Sequence, residues 1–263
     1  MKQAQKIGVK MTNKFRKFET QEELIAEAEK RSAKVFSKKE NYKDIYAQSN
    51  GKYFFFPGID YFKRGTITPD MISRLQSGCN LLSVGSGDGH LERLISAGFR
   101  IPKRRIVVSD IELDQRLIEC GFKRYQFDMT RPWPELDEKF DYILFPQSLG
   151  VATLPGKIRE LSTSEQEAIQ VRLKEEEIKR YFDEPVIEDE LSKNIRKKEA
   201  VWKHLIIKEA LSRLKRNGEL RICYGLNDES RICAYVVHKL KEEYPEITFP
   251  APNEGENFTI KMP

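Results

Sequence analysis

The sequence predicts an α/β fold: a mostly parallel sheet of seven strands, helices on both faces, and an antiparallel C-terminal hairpin at one edge. Three observations lead there. From residue 80 onward, short apolar runs alternate with helix-spaced segments. Most of those runs are continuously apolar, as strands covered on both faces are. And a glycine-rich turn, Gly85-Ser86-Gly87-Asp88-Gly89, stands where the first run meets the first helical pattern.

Each element has its own warrant. Thr20 to Ser37 reads as a helix: Thr20 and Glu23 form a capping box, and Leu24, Ile25, Ala28 and Val35 mark one apolar stripe. An aromatic segment follows, with turns at Asn50-Gly51 and Pro57-Gly58, and Met71 to Leu75 suggests a short helix. The first strand is Asn80 to Val84, followed by a helix from Asp88 to Ala97. Arg105 to Ser109 is the second strand, Leu113 to Cys120 a short helix ended by Gly121, and Arg124 to Phe127 the third strand. Phe140 to Phe145 is the fourth strand and Glu219 to Tyr224 the fifth, introduced by the helix-stopping pair Asn217-Gly218. A helix from Ser230 to Tyr244 leads to the last two strands, Ile247 to Phe249 and Phe258 to Met262.

One connection is too long. About seventy residues separate the fourth and fifth strands, where a single crossover helix would suffice. Asn194 to Arg216 suits that crossover, while Thr163 to Phe182 is an additional charged helix with a thin apolar stripe of Ile169, Leu173 and Ile178. The expected organisation is a basic tail, helix and aromatic cap segment over residues 1–70. A domain over 71–263 follows, with a helical insertion at about 157–193. The insertion reads either as a solvated protrusion or as a lid, cap or surface for a partner or second copy.

Composition narrows the class. The chain has 263 residues, 39% hydrophobic and 33% charged, enough for a buried core beneath a very polar surface. No apolar run approaches the roughly twenty residues of a membrane span, and the basic N-terminus has no apolar core of a signal peptide. Cys79, Cys120, Cys223 and Cys233 lack CxxC spacing and read as reduced thiols of a cytoplasmic protein, with no metal site expected. The net charge of +5 is only mildly basic. Lys2, Lys6, Lys10, Lys14, Arg16 and Lys17 form an acid-free tail, either solvated or in weak contact with nucleic acid or another anion.

A strand, a glycine-rich loop and a helix make a nucleotide-binding edge, because glycines let a ligand approach the backbone and the helix presents free amides. The spacing here is G-x-G-x-G, and His90 occupies the place where the dinucleotide pattern wants a small residue. That speaks against a nicotinamide-dependent oxidoreductase; no P-loop motif occurs. The stretch LLSVGSGDGHLE resembles motif I of class I S-adenosylmethionine-dependent methyltransferases, whose sheet is Rossmann-like. Further segments resemble that family in order. IVVSDIE carries Asp110 about twenty residues past the glycines, YQFDMT carries Asp128, RPWPELDEKFDYIL resembles the turn into the fourth strand, and LKRNGELRICYG the entry to the fifth. The likeness spans roughly Met71 to Pro263.

The resemblance implies S-adenosylmethionine as cofactor, S-adenosylhomocysteine as product, and a methyl acceptor that the sequence does not identify. It assigns Gly85, Ser86 and Gly87 to the methionine portion, Asp110 to the ribose, and Asp128 with Met129 and Ile111 to the adenine. Phe145 and Gln147, at the end of the fourth strand, join the cofactor set, with Ser148 and Tyr224 as neighbours of the pocket. Phe145-Pro146-Gln147-Ser148 does not match the [DN]-P-P-[YFW] motif of amino-methyltransferases. Ser83 stands where the family often has an acid; Glu92 either replaces that charge or is a first-turn acid favoured by the helix dipole. His90 reads as a base beside the methyl group or as an exposed helix-start residue; His204 and His238 read as structural. The aromatics of FFFPGIDYF either cover the pocket or pack on the sheet. A non-catalytic binding or scaffold protein of the same fold is the alternative, motivated by Ser83 and the insertion.

Overall fold

The computed structural model describes residues 17–36, 58–146, 148–149, 190–223, 234–249 and 257–263. The expectations for the basic tail, the Thr163 to Phe182 helix, Gln147, Tyr224 and Cys233 lie outside these residues.

The N-terminal part of the described chain is a set of capped helices. In α1 (Gln21–Val35) the Thr20 hydroxyl accepts from the Glu23 N–H at 3.2 Å, and the Glu23 carboxylate takes the Glu19 N–H at 3.0 Å. This is the expected box, moved one residue outward on its return arm. A short helix, α2 (Gly58–Lys63), follows, then α3 (Pro69–Ser77). Thr68 caps α3 through the Met71 N–H, Pro69 sits in its first turn, and Gly78 ends it.

The sheet comprises β1 (Leu81–Val84), β2 (Ile106–Asp110), β3 (Lys123–Gln126), β4 (Phe140–Pro146), β5 (Leu214–Cys223) and β6 (Asn257–Lys261). Their spatial order is β3-β2-β1-β4-β5-β6; all neighbours are parallel except the antiparallel pair β5·β6. The α/β class, the mostly parallel sheet and the antiparallel C-terminal pair are therefore as expected. The strand number is not: among the described residues the sheet has six strands, against seven anticipated. The missing strand is Ile247 to Phe249. The chain is still turning there, with the Ile247 N–H bonded to the Tyr244 carbonyl, and only Thr248 pairs, in a single bridge to Lys261. Pro250, which has no N–H to give to a ladder, comes next in the sequence.

The two faces of the sheet carry two cores. Leu81, Ile106, Val108, Tyr142 and Leu144 point to one, shared with α1, α2, α3 and α4 (His90–Arg93). Helix α4 passes directly into a π-helical turn, Leu94–Gly98, rather than running regularly to Ala97. Leu82, Val84, Val107, Ile143 and Ile222 point to the other, covered by α6 (Glu190–Ser212) and α7 (Ala234–Glu243). Between β2 and β3 lies α5 (Gln115–Glu119), capped by Asp114 through the Arg116 N–H at 2.8 Å. Every fully buried Leu or Ile of these cores contributes about 1.5–3 kcal/mol of transfer free energy.

A second correction concerns Asn217-Gly218. The pair does not end the crossover helix, which stops at Ser212; it lies inside β5. Asn217 has φ 60°, and the β4·β5 register jumps between Phe140↔Leu214 and Tyr142↔Glu219, so the pair forms a bulge. A Cβ at Gly218 would meet the Lys215 carbonyl at 2.9 Å.

Candidate cofactor site

The strand order places the site. β1 is followed in the chain by β2 on one side and is flanked by β4 on the other, so the connections diverge at its carboxyl end. That crevice is the usual ligand position of an open α/β sheet. The glycine loop, the end of β2 and the end of β4 all meet there.

Two glycines do different work in the loop. Gly85 has φ 75°, and a Cβ on it would stand 2.2 Å from the Ser148 Cβ and 3.2 Å from the Met129 methyl. It is required for close packing: Ser148 donates its hydroxyl to the Val84 carbonyl and so ties the end of β4 to β1 across it. Gly87 has φ 56°, and a Cβ on it would meet nothing within 4 Å. Its bare face is where a ligand has room to lie against the backbone.

The loop amides are spent inside the protein. The N–H groups of Gly85 and Ser86 both donate to the Ser109 carbonyl, at 2.8 and 3.0 Å, and the Ser86 hydroxyl donates to the Ser83 carbonyl at 3.1 Å. The Gly87 N–H donates to Asp110 Oδ2 at 2.8 Å, while Oδ1 accepts from the Ile111 N–H at 2.8 Å. Asp110 thus braces the loop from the tip of β2. A carboxylate has roughly four lone-pair positions, so room remains for a ligand hydroxyl. Burial raises its pKa above the usual carboxylate value, against the pull of those amides.

The remaining cofactor candidates have mixed positions. Ile111, just after β2, is 46% exposed. Asp128 Oδ1 accepts from the Thr130 N–H at 2.9 Å and its hydroxyl at 2.7 Å, which folds the turn after β3 and holds Met129 toward Gly85. The Phe127 N–H bonds the Asp110 carbonyl at 3.0 Å, so the two acids are carried on adjoining strand ends. Phe145 is fully buried in the second core, its ring against Trp133, and so does not offer its ring to the crevice.

His90 is not the exposed residue that one reading expected. It is buried, its Nδ1 accepts the Gly58 N–H at 2.7 Å, and its ring stacks on Phe36 at 3.6 Å. Burial, helped by Arg93 and Arg116, brings its pKa down to about 3. A base that weak, with that nitrogen occupied, is poorly matched to proton removal at neutral pH. Of the aromatic segment only Gly58 onward lies among the described residues: Phe62 stacks on Phe99 in the core, and the Tyr61 hydroxyl donates to the Pro146 carbonyl at 3.3 Å, at the end of β4.

Below the loop lies a polar layer that sequence reasoning only partly found. The Ser109 hydroxyl donates to the Ser83 carbonyl at 3.1 Å, and the Ser83 hydroxyl donates to Glu92 Oε1. Glu92 is 1% exposed, and burial pushes its pKa up to about 7. The signal for this pair was the serine in an otherwise apolar strand, nine residues before an acid on the next helix. Among the described residues no group of three or more potential metal ligands occurs, and no helix is long and apolar enough to cross a membrane.

No family model and no curated protein matches the sequence. Solved structures of methyltransferases are similar to it. N-methyltransferase NodS from Bradyrhizobium japonicum WM9, in complex with S-adenosyl-L-homocysteine, aligns over 90% of this chain and 98% of its own, at 12% identity and a TM-score of 0.41. CalS10 from Micromonospora echinaspora, a SAM-bound amino pentose methyltransferase involved in calicheamicin biosynthesis, aligns over 87% and 100%, at 10% identity and a TM-score of 0.44. Magnesium protoporphyrin IX methyltransferase ChlM from Synechocystis PCC 6803, with bound SAM, aligns over 85% and 92%, at 9% identity and a TM-score of 0.44.

Proposed function

We propose that the chain is an S-adenosylmethionine-dependent methyltransferase whose acceptor is still to be identified. The observation that carries this reading is the loop at the switch point: an open face at Gly87 beside the Asp110 carboxylate, which already braces the same residue. A nucleoside with a ribose diol, an apolar-faced base and a flexible tail matches that set. Asp110 would accept from ribose hydroxyls, and Met129 and the exposed Ile111 would flank the adenine. Asp128 would stand at its edge, and Gly85, Ser86 and Gly87 would form the floor under the methionine portion.

When bound, S-adenosylmethionine supplies an electrophilic methyl group on a sulfonium. The protein's part is to hold that group in line with an acceptor and to keep water out. Tyr61, bonded to the Pro146 carbonyl at the end of β4, would help cover the crevice there. A proton-accepting side chain is needed only where the acceptor must lose a proton before attack. Gln147, next to Ser148, is the candidate for contact with cofactor or acceptor.

The direct test is calorimetric titration of the purified chain with S-adenosylmethionine, S-adenosylhomocysteine and NAD, repeated on Asp110→Ala. Micromolar binding of the two sulfur compounds, weakened at least tenfold in the variant and absent for NAD, is the expected result. Binding of neither sulfur compound by a folded protein would remove the enzyme reading and leave a scaffold of this fold. Binding of NAD alone would restore the oxidoreductase.

A further inference from the structure

Among the buried ionisable groups, Glu92 is the one whose placement the loop architecture does not explain. Its Oε1 takes the Ser83 hydroxyl; its Oε2 has no hydrogen-bond partner among the described residues. A carboxylate held out of water with one oxygen open is costly and is kept where a partner can meet it. The charges pressing on it are of its own sign. Asp88 and Asp110, either side of Gly87, both oppose its ionisation. Asp88 Oδ1 accepts the His90 N–H at 3.1 Å, its Oδ2 also lacks a hydrogen bond, and the Arg116 guanidinium stands 3.7 Å away. On Glu92's own helix, Arg93 lies over the Phe36 ring, 4.7 Å from its centre. On α2, the Tyr61 hydroxyl is buried and bonded to the Pro146 carbonyl, and its pKa is raised by burial and by charges that include that of Glu92. The strand end offers Ser83, a neutral hydroxyl.

From this geometry we infer that Glu92 is the binding residue for the cofactor's amino group. Its open Oε2 accepts the α-ammonium of the methionine portion while Ser83 holds its other oxygen in place. The inference rests on the reading of the crevice as an S-adenosylmethionine site and adds to it a residue from the helix, in place of an acid at the strand end. A primary ammonium brings three donors and the opposite charge, which are the two things the acids around Gly87 lack. It also couples binding to protonation. Near neutrality the free protein holds a proton on part of its Glu92 carboxyls, and a cation seated on Oε2 expels it.

The test uses the full chain and three ligands: S-adenosylhomocysteine, its decarboxylated analogue, which keeps the amine, and 5′-methylthioadenosine, which lacks both amine and carboxylate. In Glu92→Gln, the two amines are expected to bind at least tenfold more weakly, with 5′-methylthioadenosine unchanged within twofold. In the unmutated protein, the affinity ratio of the decarboxylated analogue to 5′-methylthioadenosine should fall about tenfold per pH unit below pH 7. The amine stays protonated throughout that range, and this arm needs no variant to fold. Equal weakening of all three ligands in Glu92→Gln, or a ratio that does not change with pH, would overturn the assignment. If the unmutated chain binds none of the three, the cofactor reading itself fails and takes this inference with it; binding of 5′-methylthioadenosine shows that the two have not failed together.

Discussion

At the residue scale, Glu92 and His90 give the molecule opposite pH slopes. The ordinary glutamate pKa is 4.5, and Glu92 in the folded chain sits at about 7. Between those values the folded chain keeps a proton that the unfolded chain has released. Stability from this group is therefore present at low pH and lost as pH rises through about 7, a span of about 3 kcal/mol. Glu92→Gln, which cannot ionise, should raise the melting temperature by several degrees at pH 8, with the gain vanishing toward pH 4.5. Thermal melts across that range check it. The variant would then be more stable and a poorer cofactor binder, the usual exchange at a functional site. His90 runs the other way: the unfolded histidine takes up a proton near 6.5, and the folded one resists until about 3. Its contribution is held above pH 6.5 and lost as pH falls toward 3. Its imidazole proton resonances should not titrate between pH 5 and 8 in an NMR series; a midpoint near 6.5 would mean that the ring is not packed on Phe36.

At the scale of elements, the glycine loop separates two costs. Gly87→Ala would meet only the left-handed backbone, about 1–2 kcal/mol, since a Cβ there finds open space. It would also fill the face offered to a ligand, so its larger expected effect is on binding. Gly85→Ala adds to the same backbone cost a collision with Ser148 and should destabilise by several kcal/mol in urea titrations. Equal destabilisation by the two would mean that Ser148 moves aside freely. The Thr20 cap was legible because it depends on neighbours in the chain, its hydroxyl taking an amide three residues ahead. Thr68 and Asp114 cap by the same short-range bonds but were not read from the sequence, which began those helices at Met71 and Leu113. The π-helical turn after Arg93 was not legible either. It is met from outside, with the Gly98 carbonyl taking an Arg31 N–H from α1.

At the scale of the whole molecule, a buried ion network fastens the N-terminal helices to the sheet. Arg221 of β5 bonds Glu219 at 2.6 and 3.0 Å, the Thr66 carbonyl at 2.9 Å and the Thr68 hydroxyl at 3.1 Å. Lys261 of β6 reaches Glu219 at 3.0 Å, and Arg74 of α3 at 3.7 Å. Arg221→Met would leave Glu219 buried with fewer partners and should cost about 3 kcal/mol, read as a lowered midpoint in denaturant. A negligible change would mean that Lys261 and Arg74 compensate on their own.

The sequence by itself determined the α/β class, the parallel order of events along the chain, and the loop with Asp110 at its side. These follow from periodicity, glycine spacing and strand ends, all short-range properties of the chain. It also named Ser83 and Glu92 as a pair to weigh without deciding between them. Only the tertiary structure decided that Glu92 is buried with an open oxygen, that His90 is a packed hydrogen-bond acceptor, and that Ile247 to Phe249 adds one bridge instead of a strand. The reason is common to all three. Burial, orphaned lone pairs and strand pairing depend on what arrives from distant parts of the chain: Phe36 and Gly58 against His90, β1 against Glu92, and Lys261 against Thr248.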